Sequence, residues 1–171
     1  MLEGDKVVLI PITNEDTDSI LGWRNQRFVR EKFIDQEILT QEVHENWMKT
    51  MVSVGKVKQF IIYVKLGMER KAIGSAYLKD IDKNSKKAEY GIFIGEKDYL
   101  GRGFGSDAAK VLLEYAFETL SLHKVTLRVL ASNKCAIASY KKAGFVEEGY
   151  FKDEIKIKNR YQDIIFMAVF H

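Results

Sequence analysis

Across LGRGFGSDA, residues 100 to 108, the hydrophobic pattern of this chain changes its period. Upstream, AEYGIFIG is an apolar run of strand character. Downstream, Ala109, Leu112, Leu113, Ala116, Phe117 and Leu120 recur at helical intervals on one face. The junction carries Gly101, Gly103 and Gly105 on alternate positions. A strand that enters a helix through such a loop demands a sheet with a helix packed on it. It also leaves the loop backbone without side chains where the helix begins. There the N–H groups and the positive end of the helix dipole converge, an arrangement that binds phosphate. Ser106 can cap the helix or offer its hydroxyl, and Arg102 adds charge. The same glycines would also serve a tight strand-to-helix turn with no ligand at all.

The rest of the chain alternates between the two periods. KVVLIPI is β-branched and apolar, and Asn14 with the following acids predicts a helix running toward Trp23. The polar stretch WRNQRFVREKF follows, and Thr40 opens a second helix through about Met51. QFIIYV, AIGSAYLKDI and AEYGIFIG then read as three strands in an antiparallel meander, with turns at Gly67 and Asn84. After the helix that starts at Ser106, KVTLRVL is a buried strand. Asn133 to Ala143 is a helix capped by Gly144, and the remainder is two strands joined at Lys158 and Asn159. This order predicts an α/β (α+β) fold with about seven strands and about four helices, the sheet mixed but mostly antiparallel.

Composition narrows the function classes. With 171 residues, 46% of them hydrophobic and 30% charged, the chain is expected to form one domain over residues 1–171. It contains one proline and one cysteine, has no apolar run of membrane-span length and does not open on a signal peptide, so a cytoplasmic protein with no membrane partner is expected. Cys135 and three scattered histidines offer no zinc spacing, and no metal is expected. The net charge of +3 comes from lysines and arginines interleaved with acids, which argues against a nucleic-acid partner. Gly103, Gly105 and Ala108 fit a GxGxxA dinucleotide pattern, but the next strand ends in RVLASN with no acid to hold a ribose. A triphosphate-binding loop would need a Gly-Lys-Ser/Thr that the loop lacks.

AEYGIFIGEKDYLGRGFGSDA, then LSLHKVTLRVLASNKCAIASYKKAGFVEEG, then RYQDIIFM, occur in the order and spacing of the GNAT superfamily of acetyl-coenzyme A dependent N-acetyltransferases, which this chain resembles over most of residues 70 to 170. It is most similar to the branch of ribosomal-protein N-terminal and spermidine acetyltransferases. The resemblance implies a splayed sheet with acetyl-CoA as co-substrate in the opening between AEYGIFIG and KVTLRVL. Its pyrophosphate would lie on Arg102, Gly103, Phe104, Gly105 and Ser106, and its pantetheine arm would pair with backbone groups of Phe93 and Ile94. The family's loop usually starts with Gln or Arg, where this sequence has Leu100.

Acetyl transfer from a thioester to an amine needs a neutral amine, a polarised carbonyl and a proton for the departing thiolate. Tyr140 lies seven residues after Asn133, on nearly the same helix face. By the family pattern Tyr140 would protonate the sulfur and Asn133 would hydrogen-bond the pantetheine arm. Glu89 is the candidate base, acting through a water; the competing reading is a solvated carboxylate paired with a lysine. Trp23, Arg24, Asn25 and Phe28 fall in a segment that in this branch covers the acceptor; the plain alternative is a helix end followed by a short second helix, with Trp23 and Phe28 in the core and the arginines solvated. Arginines there would favour an anionic acceptor such as a nucleotide-linked amino sugar. A polyamine would draw on Asp35, Glu37, Glu42 and Glu45. The expected function is acetylation of a primary amine of a small molecule, a polyamine or a nucleotide-linked amino sugar, by direct transfer. An N-terminal protein acetyltransferase and a non-catalytic CoA-binding module are the alternatives. The residues leave open whether the domain pairs into a homodimer.

Overall fold

The computed structural model describes residues 1–67 and 69–171. One sheet organises them. Its strands in chain order are β1 (Leu2–Glu3), β2 (Val7–Pro11), β3 (Lys58–Leu66), β4 (Glu69–Asp82), β5 (Lys87–Ile94), β6 (Lys124–Leu130), β7 (Val146–Ile157) and β8 (Arg160–Phe170). In space they run β1-β2-β3-β4-β5-β6-β8-β7, and every neighbouring pair is antiparallel except β5 and β6. The expected meander is therefore present, and the last hairpin folds back so that β8 rather than β7 meets β6. Lys158 and Asn159 both have positive φ, +46° and +64°, which is how a two-residue turn matches the twist of its strands.

The helices are α1 (Thr17–Arg24), α2 (Arg27–Arg30), α3 (Gln41–Trp47), α4 (Phe104–Glu114) and α5 (Lys134–Lys142). Three points differ from the sequence reading. The two-residue β1 lies in a stretch too short to show a period, whereas the four-residue α2 is the short second helix of the plain alternative for WRNQRFVREKF. A 3₁₀ turn at Asn14–Asp16 precedes α1, with the Asp16 carboxylate accepting from the Thr13 N–H at 2.8 Å, so Thr13 and Asp16 rather than Asn14 organise that end. And α4 begins at Phe104, two residues before Ser106.

Apolar residues fill both faces of the sheet, because alternate residues of each strand point opposite ways. On one face Phe60, Ile62, Ile73, Leu78, Tyr90, Leu127 and Met167 pack with Phe104, Ala108, Leu112 and Ile137 of α4 and α5. On the other, Ile61 and Phe93 pack with Ile20 and Trp23 of α1, Val29 of α2 and Met48. β3 is consequently apolar at successive positions, Phe60, Ile61 and Ile62, each nearly or wholly buried. At the edge of the sheet, β7 is exposed along most of its length.

Candidate active site

The two halves of the sheet separate at its centre. β5 pairs with β6 only over Lys87↔Lys124, Ala88↔Val125 and Glu89↔Thr126. Beyond Glu89, β5 stays registered to β4 as far as Gly74↔Ile94, and β6 stays registered to β8 as far as Leu130↔Ile164. Tyr90 to Ile94 thus present one edge with no strand on it, facing the far half of β6. Unpaired strand edges accept an extended chain as an added strand. Phe93 and Ile94 lie on this edge, their other side held by Ser75 and Gly74.

The glycine loop closes the wide end of this opening. Gly101 and Gly103 have φ of +71° and +86°, left-handed values that explain why glycine stands at both. Gly103 directly precedes α4, so the N–H groups of Phe104, Gly105 and Ser106 lie in its first turn, where no intrahelical acceptor exists. A Cβ at Gly103 would sit 3.2 Å from the Lys6 ammonium, which is itself held on the Arg102 carbonyl. The loop thus has a cation that the sequence did not reveal, brought from just before β2 by the Asp107 carboxylate, which accepts from the Lys6 and Val7 N–H groups at 2.8 and 3.0 Å. The Arg102 guanidinium lies near the rings of Tyr99 and Phe104, and Leu100 points to solvent. The Ser106 hydroxyl does not cap α4. It meets the Ser139 hydroxyl at 2.9 Å and so ties the start of α4 to α5.

α5 supplies Tyr140. Asn133 caps this helix, its side-chain oxygen accepting from the Ala136 N–H at 3.4 Å, which occupies the oxygen and leaves its amide N–H groups to make contacts elsewhere. Tyr140 is wedged between Tyr90 and Phe145, with ring centroids 6.1 and 5.9 Å away. Burial, and then the neighbouring Tyr77, push its phenol well above the ordinary value, so it is protonated at neutral pH. Tyr90, raised in the same way, has a buried hydroxyl with no partner among the described residues.

Glu89 lies on the opposite face of β5 from Tyr90. Its carboxylate is half-buried between two cations, the Lys79 ammonium and the Arg128 guanidinium, each at 3.2 Å. It is therefore paired with a lysine, as the competing reading held, with Lys79 as that lysine and Arg128 as a second cation, while only part of the carboxylate reaches solvent. Two residues along β5, Gly91 faces Tyr77 across the ladder, and a Cβ there would overlap the tyrosine ring and hydroxyl. Trp47 sets its ring edge against Tyr77, with centroids 6.4 Å apart, and is held by a buried chain from its indole N–H to Gln59 and on to Ser75.

The segment before α2 is placed less uniformly. Trp23 is buried, lies on Gly95 where no side chain would fit, and donates its indole N–H to Glu96 at 2.8 Å. Asn25 exchanges two hydrogen bonds with Leu39. In the structure Trp23 ties α1 to the end of β5, in the core placement of the plain alternative, and Asn25 ties the end of α1 to the segment before α3. Phe28 is half-buried under the Lys97 ammonium. Arg24 differs from all of them. Its guanidinium lies 3.5 Å from the Phe33 ring centroid, one nitrogen donates to the Asp35 carbonyl at 2.7 Å, and the other terminal nitrogen is buried without a partner among the described residues. Burial pulls its pKa below the ordinary value, against the pull of Asp35. A cavity of about 440 Å³ is lined by Glu31, Gln36, Leu130, Ser132, Ile157, Lys158, Arg160 and Gln162, joining the end of α2, the end of β6 and the β7–β8 turn. Lys6, Tyr77, Lys79, Arg128 and Lys158 carried no sequence signal as site residues, because each is brought there only by a ladder, a turn or, for Lys6, the Asp107 carboxylate.

This arrangement has close counterparts. Residues 6–146 match the acetyltransferase (GNAT) domain model. The spermidine N(1)-acetyltransferase of Vibrio cholerae is 30% identical over 134 residues, covering 78% of this chain and 70% of that protein. The Escherichia coli K12 spermidine N(1)-acetyltransferase is 36% identical over 97 residues, and there the match spans 57% of this chain but only about half, 52%, of the relative. The crystal structure of the V. cholerae spermidine N-acetyltransferase in complex with CoA and spermine superposes with a TM-score of 0.87 at 26% identity, over 96% of this chain and 95% of that one. The resemblance read from the motifs is thereby borne out: the chain belongs to the acetyltransferase (GNAT) domain family.

Proposed function

We propose that the protein is an acetyl-CoA-dependent N-acetyltransferase that moves the acetyl group directly onto a primary amine of a small molecule. The observation that carries this reading is the opening between β5 and β6, flanked at one end by the glycine loop and at its apex by Tyr140. The residues present fit acetyl-CoA. Side-chain-free backbone at Gly103, the unpartnered N–H groups of Phe104, Gly105 and Ser106 and the Lys6 ammonium suit a pyrophosphate, and the open edge at Phe93 and Ile94 suits an extended amide-bearing arm. Acetyl-CoA supplies an activated thioester carbonyl. Tyr140, held protonated by burial, gives a proton or a hydrogen bond to the departing sulfur, and Glu89 receives the proton that the amine gives up. Leu100 costs the loop one side-chain contact and leaves these backbone donors intact. Residues 1–171 act as one domain in this reading.

The named activities of the relatives favour a polyamine as acceptor. A second reading, a nucleotide-linked amino sugar, is favoured by the Arg24 nitrogen that has no partner among the described residues and, separately, by Lys158 and Arg160 lining the cavity at the last hairpin, which suit an anionic group. Isothermal titration with acetyl-CoA, with NADH as control, followed by transfer assays on spermidine, a UDP-linked amino sugar and an N-terminal peptide, tests both. Micromolar binding of acetyl-CoA and turnover of one amine are expected. Binding without turnover of any amine would leave a CoA-binding module, and absence of binding would overturn the reading altogether.

A further inference from the structure

Tyr77 is a half-buried polar group that the mechanism above does not use. It stands on β4 directly opposite Gly91, and only the missing side chain there lets its ring lie across β5. The ring is braced from behind by Trp47, whose indole is fixed through Gln59 and Ser75. Its hydroxyl makes no hydrogen bond to another described residue. Because Tyr77 and Lys79 share a face of β4, and Glu89 and Gly91 share the facing side of β5, the hydroxyl lies one cross-strand pair along from the ion-paired Glu89 carboxylate. It also lies where β5 has just lost its pairing with β6.

Resting on the N-acetyltransferase reading, we propose that the Tyr77 hydroxyl contacts the attacking amine and hands its proton to Glu89, in the place assigned above to a water. As the amine nitrogen bonds to the carbonyl carbon, its N–H bond breaks and the proton goes to the Tyr77 oxygen, while the Tyr77 proton goes to the Glu89 carboxylate. The C–S bond breaks, and the sulfur takes the Tyr140 proton. Tyr140 regains a proton and Glu89 loses one to solvent, so the cycle closes with no further reactant. The charged and titratable groups that face Tyr77 are Arg24 from α1, Asp80 from β4, Glu89 from β5 and Arg128 from β6, with Tyr90 and Tyr140 across the opening. Burial and the Glu89 charge both hold the phenol above its ordinary value, which keeps the hydroxyl protonated between turnovers.

The plain alternative is that Tyr77 only covers a strand glycine, a recognised packing device. Tyr77→Phe keeps that ring and removes only the oxygen. With acetyl-CoA and the amine turned over by the wild type among spermidine, a UDP-linked amino sugar and an N-terminal peptide, Tyr77→Phe is expected to lower kcat about 10- to 100-fold, a share of the usual acid–base contribution. Its thermal midpoint and its affinity for acetyl-CoA should stay unchanged. Combined with Glu89→Gln, the double variant should be no slower than the slower single variant, since the two groups act as one unit. A Tyr77→Phe rate equal to wild type, or losses that multiply in the double variant, would overturn the proposal while the acetyltransferase reading stands. A wild type that turns over none of the three amines would overturn both.

Discussion

The two lips of the opening are built in different ways. On the side of α4 and α5, the contacts offered are mostly backbone: the loop at Gly103, the first turn of α4 and the free edge of β5. On the side of α1 to α3, they are side chains drawn from distant parts of the chain, with Arg24 from α1, Tyr77 from β4, Glu89 from β5, Arg128 from β6 and Lys158 and Arg160 from the last hairpin. Backbone contacts suit a co-substrate that is the same for every member of a fold. Side-chain contacts can be exchanged one at a time, which is where a choice of acceptor is made.

The largest expected effect falls where the lips meet. Tyr140→Phe should lower kcat about 10- to 1,000-fold with little change in acetyl-CoA affinity, measured by steady-state kinetics and titration. Next, Gly103→Ala places a Cβ at φ of +86°, beside Lys6. The left-handed conformation costs about 1–2 kcal/mol, so acetyl-CoA affinity should fall roughly 5- to 30-fold while the KM for the amine holds. A matching rise in the amine KM would erase the division between the lips. Arg24→Gln should do the reverse, raising the KM of an anionic acceptor several-fold and leaving acetyl-CoA binding alone, since it removes a charged donor from that side only. Against spermidine the same change should be neutral or helpful, so the pair of assays also separates the two acceptors.

The smallest effect concerns pH. His44 in α3 is buried, its Nε2 has no partner among the described residues, and burial lowers its pKa from the usual 6.5. Below that value the unfolded chain takes up a proton that the folded one refuses, so stability falls as pH drops through about 6.5 and is fully present above it. The thermal midpoint should therefore drop between pH 7.5 and 5.5, and drop less in His44→Gln. Hydrogen exchange should show α3 loosening before α4. An equal drop in the variant would remove His44 as the cause.

The same division decides what the sequence could reveal. The co-substrate lip was legible because it is local: the change of period, the glycines and the Asn133 to Tyr140 spacing all lie within short stretches. Even so, Lys6 was invisible, since Asp107 reaches it from 101 residues away. The acceptor lip was legible only in part. WRNQRF drew notice as a group, yet Trp23 and Asn25 proved to be packing and clamping residues, and Arg24 alone keeps an unmet nitrogen. Tyr77 could not stand out in AIGSAYLKDI, because its setting depends on being paired with Gly91, and register is fixed by the assembled sheet rather than by either strand.

Amide hydrogen exchange with and without acetyl-CoA tests the division most directly. Protection is expected at the residue 90–94 edge of β5 and over residues 101–106, with little change over α1 to α3 until an amine product analogue is added. Protection centred on α1 to α3, or none at the β5 edge despite binding, would contradict it.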